Sequence, residues 1–108
     1  MRLEHYPLEK MKREIIGIVG RYLDLTNYRV FFFGSRVTGQ GTENSDIDIG
    51  IEGPAPVPWS VMAKVRGEVE ELPTLYKIDI VDFQNVSSRF KKVATQSVEF
   101  ITAWKMKQ

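Results

Sequence analysis

The sequence predicts an α+β fold in which a small mixed β-sheet is flanked by helices. Apolar residues recur at helical spacing near the N-terminus and again between two prolines in mid-chain. Three short runs rich in β-branched and aromatic residues read as strands. The resulting order of helix, strand, strand, helix, strand, helix suits an α+β or α/β sandwich.

Each element has its own signals. Pro7 suits the first turn of a helix whose apolar positions are Met11, Ile15, Ile18, Val19, Tyr22 and Leu25, with Asn27 at its end. Gly17 and Gly20 each weaken that helix by about 1 kcal/mol against alanine. Residues 28–33 are apolar on both faces and predict a buried central strand, with Phe31, Phe32 and Phe33 in the core rather than forming a stacking platform. Residues 34–44 carry Gly34, Gly39 and Gly41 among serine, threonine and asparagine, and predict a loop with one helical turn near its start. Residues 46–52 form the second strand. Pro54, Pro56 and Pro58 make a stiff connector, which leads to a helix over 58–72 with Val61, Val65, Val69 and Leu72 on one face. Pro73 closes it, and residues 77–83 form the third strand. Ser87 caps a last helix with Phe90, Val93, Ala94, Ile101 and Trp104 as its apolar stripe.

Residues 1–108 are expected to form one domain, large enough for a single core. A formal net charge of +1 leaves no global footprint for direct nucleic-acid binding. The chain has no cysteine, which excludes thiolate zinc sites and cysteine nucleophiles, and its single histidine, His5, lies among polar residues near the N-terminus and is expected to be solvated rather than part of a metal site or triad. No apolar run approaches the length of about 20 residues that crosses a bilayer, and the first dozen residues are too polar for a signal peptide. The chain reads as soluble and cytoplasmic.

The chemistry concentrates in one stretch. Gly34 and Ser35 follow the aromatic strand, and after ten more residues Asp46 and Asp48 flank Ile47. Alternate residues of a strand share a face, so both carboxylates are expected to point one way while Ile47, Ile49 and Ile51 enter a core. Two like charges on one face repel, which a divalent metal would relieve. Magnesium takes one or two carboxylates and completes its shell with water and phosphate oxygens. Phosphoryl and nucleotidyl transfer commonly use two such ions on an in-line displacement. A third carboxylate would orient or deprotonate the incoming hydroxyl. Asp79 and Asp82 are the candidates, of opposite parity on the third strand. Asp79 is preferred because it interrupts an apolar run, where an unpaired carboxylate is costly.

Gly34 removes a side chain where a backbone can approach a phosphate, and Ser35 offers a hydroxyl and an N–H. Arg36 can clamp a phosphate bidentately, Thr38 and Gly39 extend the cradle, and Ser45 precedes the first carboxylate. Two rival glycine motifs fail. Gln40 and Gly41 stand where a Walker A loop needs Lys and Ser/Thr, and Asn44 stands where a dinucleotide fingerprint needs its third glycine.

Gly34-Ser35, ten residues, Asp46-Ile47-Asp48 and the later Asp79 together resemble the minimal nucleotidyltransferase (MNT) domain of the DNA polymerase beta superfamily. The resemblance runs from the opening helix to the third strand, and implies a polymerase beta-like nucleotidyltransferase fold. It further implies magnesium-dependent transfer of a nucleoside monophosphate from ATP or another triphosphate, with Ser35 on the triphosphate. Asp46 and Asp48 would bind metal, with Asp79 the third carboxylate of that set. Such domains are often encoded beside a small helical HEPN protein and act as its antitoxin, in some cases by adenylylating it. The chain departs from many members in carrying Thr38 where a second arginine is frequent. There is no room for the thumb of a processive polymerase, so a partner protein is expected to hold the acceptor; a homo-oligomer is compatible with this. The alternatives are a non-catalytic nucleotide-binding antitoxin and the binding subunit of a split small-molecule nucleotidyltransferase.

Overall fold

The computed structural model describes residues 1–42 and 44–102. Its elements are α1 (Leu8–Val19), β1 (Arg29–Phe33), α2 (Ser35–Thr38), β2 (Ile47–Glu52), α3 (Trp59–Glu70), β3 (Ile78–Asp82), α4 (Ser88–Ala94) and β4 (Glu99–Phe100). The strands lie in the order β3-β2-β1-β4. β1 runs antiparallel to β2 and β4, whereas β2 and β3 are parallel, so the sheet is mixed as the sequence suggests.

The two faces of the sheet are covered unequally. On one face Val30 and Phe32 of β1 join Ile47, Ile49 and Ile51 of β2 and Ile80 of β3. α1 covers them with Met11, Ile15 and Val19, and α3 with Met62, Val65 and Val69. The other face carries a smaller aromatic cluster of Phe31, Phe33 and Phe83. Phe83 meets both other rings edge-on at 5.0 Å between centroids. A period of two along β1 therefore divides its aromatic run between two cores, and the thinner one lies where the carboxylates emerge.

Gly50 is what lets those rings close up. A Cβ built there would stand 2.6 Å from ring atoms of both Phe31 and Phe83. Gly50→Ala should lower the free energy of unfolding by about 1–3 kcal/mol through overpacking, read as a lower urea midpoint at unchanged m-value.

Two expected elements differ. The first helix stops at Val19 instead of running to Asn27. Asp24 draws the chain into a turn: its carboxylate accepts from the Thr26 N–H at 2.9 Å, and its carbonyl accepts from the N–H groups of Asn27 and Tyr28. Tyr22 and Leu25 still pack against the core, from the turn. The last helix begins as expected, with Ser87 Oγ accepting from the Phe90 N–H at 3.1 Å, but ends at Ala94. The chain then pairs Glu99 and Phe100 with the open edge of β1, whose backbone groups need partners. Phe100 and Ile101 pack into opposite clusters, which is strand alternation rather than a helical stripe. Trp104, also assigned to that stripe, lies outside the described residues. Among the described residues no helix is long and apolar enough to cross a membrane.

Candidate functional site

β1 delivers the chain to Gly34, which turns with φ 87° into the short helix α2. A Cβ at Gly34 would lie 2.3 Å from Asp48 Oδ2, so the turn needs glycine both for its backbone angle and for the carboxylate beside it. Gly39, with φ 84°, ends α2, and the N–H groups of Gln40 and Gly41 donate to the Ser35 carbonyl at 3.1 and 3.0 Å. The loop then folds over itself. A Cβ at Gly41 would stand 3.0 Å from Ser35 Oγ and 3.1 Å from Ser45 Oγ, so both predicted serines converge on one glycine. Ser45 Oγ also accepts from the Thr42 N–H at 2.9 Å.

Asp48 sits directly opposite Phe33 of β1 and in register with Asp79 of β3, placing both carboxylates on the aromatic face. Among the described residues neither carboxylate takes a hydrogen bond or an ion pair. Burial, and then the charges of Asp79 and Asp46, push the Asp48 carboxyl above its ordinary value. Asp48 and Asp79 open into a cavity of about 580 Å³ shared with Phe33, Phe90, Arg66 and Lys77. An adjoining cavity of about 390 Å³ is lined by Gly34, Ser35 and Thr38, again with Phe33 and Phe90.

Two predicted site residues are placed differently. Asp46 precedes β2, because the ladder starts only where the Ile47 N–H donates to the Lys77 carbonyl at 2.9 Å. Alternation therefore does not aim it with Asp48. Its carboxylate lies 3.9 Å from Lys77 Nζ and lines a separate cavity with His5 and Tyr76. Among the described residues no three acidic or histidine side chains are gathered closely enough to hold a metal ion. The expected trio is thus a facing pair, with Asp46 acting on Asp48 through its charge.

Arg36, expected as a phosphate clamp, is buried and turned away from Gly34 and Ser35. Its Nε donates to the Ser45 carbonyl at 2.8 Å, Glu4 lies 3.7 Å away, and its guanidinium covers the Tyr76 ring at 4.8 Å. It ties the loop to the N-terminal segment, because α2 is a single turn and points its second residue inward. Thr38 Oγ1 donates to the Ser35 carbonyl at 3.2 Å.

Asp82 has a different occupation from Asp79. It is 7% exposed, and its carboxylate accepts from the N–H groups of Val57 and Gln84 at 2.8 and 2.9 Å and from Asn85 Nδ2 at 3.2 Å. It fastens the proline-rich connector to the turn after β3. Asp82→Ala should cost about 2 kcal/mol or more by orphaning those donors, in a denaturant titration, without entering the chemistry.

Arg66 and Lys77 carry no motif signal in the sequence, and Phe90 reads there only as part of an apolar stripe, yet all three line the carboxylate cavity. The Ser87 cap held the signal for Phe90, since it fixes which residues open α4.

Residues 9–104 match the family described as Polymerase beta, Nucleotidyltransferase. The chain is 27% identical over 85 residues to the Haemophilus influenzae protein named "Probable protein adenylyltransferase MntA", covering 77% of this chain and 75% of that one. Its fold is similar to a toxin–antitoxin crystallised with AMP-PNP, with a TM-score of 0.61 at 19% identity over 84% of this chain and 72% of the other. It is also similar to a complex of tri-AMPylated Shewanella oneidensis HEPN toxin with MNT antitoxin, with a TM-score of 0.60 at 14% identity over 93% and 76% of the two chains. The family match covers the helices, the sheet and both halves of the site, and on it the chain belongs to the polymerase beta nucleotidyltransferase family.

Proposed function

We propose that this protein transfers AMP from ATP to a hydroxyl of a partner protein, as the antitoxin of a HEPN/MNT pair. The observation that carries the reading is Asp48 and Asp79 side by side on adjacent strands, with the bare Cα of Gly34 against Asp48. The MntA relative and the tri-AMPylated toxin complex support the choice of AMP, and of a helical HEPN protein as acceptor.

The residues fit magnesium, which needs only one or two carboxylates beside phosphate oxygens and water; Asp48 and Asp79 face each other without a cation among the described residues, and Asp46 adds charge nearby. Asp48 and Asp79 would hold it, and when bound it would polarise the α-phosphate and stabilise the pyrophosphate leaving group. Gly34 lets the triphosphate come close to the turn, where Ser35 and Ser45 offer hydroxyls. Asp79 takes the proton of the acceptor hydroxyl as its oxygen bonds to the α-phosphorus. The bond from that phosphorus to the pyrophosphate oxygen breaks, and pyrophosphate departs.

Co-expression with a helical HEPN protein as the candidate acceptor, followed by intact-mass measurement, tests this reading. The partner should gain whole AMP units with the wild type and none with the Asp46→Asn/Asp48→Asn double variant. A partner of unmodified mass, neutralised equally by both, would instead establish inhibition by occlusion.

A further inference from the structure

The two cavities that meet at Phe33 and Phe90 offer different chemistry. The larger holds both facing carboxylates, with Arg66 and Lys77 on its walls. The smaller holds Gly34 and Ser35 and is walled by Phe90, Val93 and Ala94 of α4. Phe90 is 43% exposed and Val93 63% exposed, although both are large and apolar. The Phe90 ring is nevertheless fixed, with Phe83 at 5.8 Å and Phe33 edge-on at 6.2 Å between centroids. Gln40 and Gln96 stand at the rim of the same cavity. Each donates its backbone N–H within its own turn, and neither carboxamide takes a hydrogen bond among the described residues.

A held aromatic ring, an apolar neighbour, unused carboxamides and an adjoining phosphate turn match one kind of ligand. A nucleoside has a planar face to stack, an edge to hydrogen-bond and a phosphate end to reach Gly34 and Ser35. We infer that the smaller cavity is the nucleoside compartment of the triphosphate, with the base stacked on Phe90. The acceptor then has the larger cavity, on the Asp79 side of the Phe33–Phe90 wall. A volume of about 390 Å³ lies within the usual range for small-molecule sites. A carboxamide donates and accepts at once, which pairs with the N6 and N7 groups of adenine and assigns Gln96 or Gln40 to reading the base. The inference rests on the nucleotidyl-transfer reading and adds to it the residue that holds the base.

Titrating ATP and inorganic triphosphate separately against the full chain tests it, with wild type, Phe90→Ala and Phe90→Trp compared. Phe90→Ala should weaken ATP binding by about tenfold, the scale of one lost base stack, and leave inorganic triphosphate unaffected. Phe90→Trp should restore ATP binding. Equal weakening of both ligands, or of neither, would overturn the stacking role. A rise in KM for the acceptor, with KM for ATP unmoved, would assign Phe90 to the acceptor cavity instead. A wild type that binds neither ligand would overturn the nucleotidyltransferase reading itself, which is a different result from ATP binding that ignores Phe90.

Discussion

Asp48→Asn should reduce AMP transfer by about 10³-fold, while raising the thermal unfolding midpoint at pH 7. The substitution keeps the shape of the side chain and removes its charge. Burial, Asp79 and Asp46 all oppose that charge, so the folded protein holds the Asp48 proton more tightly than the unfolded chain does. Stability from this group is whole below the ordinary carboxylate value of 3.8 and is lost as pH rises through the raised folded-state value. At neutral pH the wild type bears the whole of that loss and the asparagine variant none. The gap between their unfolding midpoints should therefore close as pH falls below the ordinary carboxylate value. Thermal melts of both proteins across pH, beside label transfer, check the pair of effects. A variant that is both inactive and less stable at pH 7 would mean that Asp48 is a structural carboxylate. Asp82 shows what that looks like, with its three hydrogen bonds to the connector and turn.

Gly34→Ala should impair both properties together. Its φ of 87° costs a residue with a Cβ about 1–2 kcal/mol, before any contact is considered. The new methyl would also meet Asp48 Oδ2 at 2.3 Å, and the carboxylate must move to admit it. A displacement near 1 Å in such a site lowers rate by about 10²-fold, which is the loss expected in kcat. The double variant Gly34→Ala/Asp48→Ala separates the two causes. Without the carboxylate the clash disappears, so the combined stability loss should fall short of the sum of the single losses. Denaturant titrations of the four proteins provide that cycle. Additive losses would mean that Gly34 and Asp48 do not press on each other.

Much of this architecture was legible because local chemistry and tertiary need coincide. The apolar strands, the Ser87 cap and the prolines around α3 are signals whose meaning does not depend on distant residues. Gly34 belongs to the same class, since a tight turn after a buried strand calls for glycine whatever lies beside it. The preference for Asp79 over Asp82 followed from desolvation, and in the structure Asp79 faces Asp48 while Asp82 is bonded to backbone.

What stayed hidden depends on partners far away in sequence. Glu99 and Phe100 became a strand only because β1 had an open edge, and two residues carry no periodicity to read. Arg36 looked like a phosphate clamp beside Ser35. Its inward direction was decided by Glu4, Ser45 and Tyr76, which the fold brings from three other segments. Alternation alone puts Asp46 in the strand, whereas the ladder begins one residue later and Lys77 lies opposite. The pairing of Phe90 with Phe33 likewise needed α4 to be laid across the sheet.

The Asp48–Asp79 pair beside Gly34 is proposed to transfer a nucleotide rather than a phosphate. Incubation of the wild-type protein and a helical HEPN protein with ATP labelled at either the α- or the γ-phosphate is the most direct measurement. Label from the α-phosphate should appear on the partner, label from the γ-phosphate should leave as pyrophosphate, and Asp48→Asn should leave the partner unlabelled in both cases. γ-Label on the partner, or α-label undiminished by Asp48→Asn, would contradict the assignment.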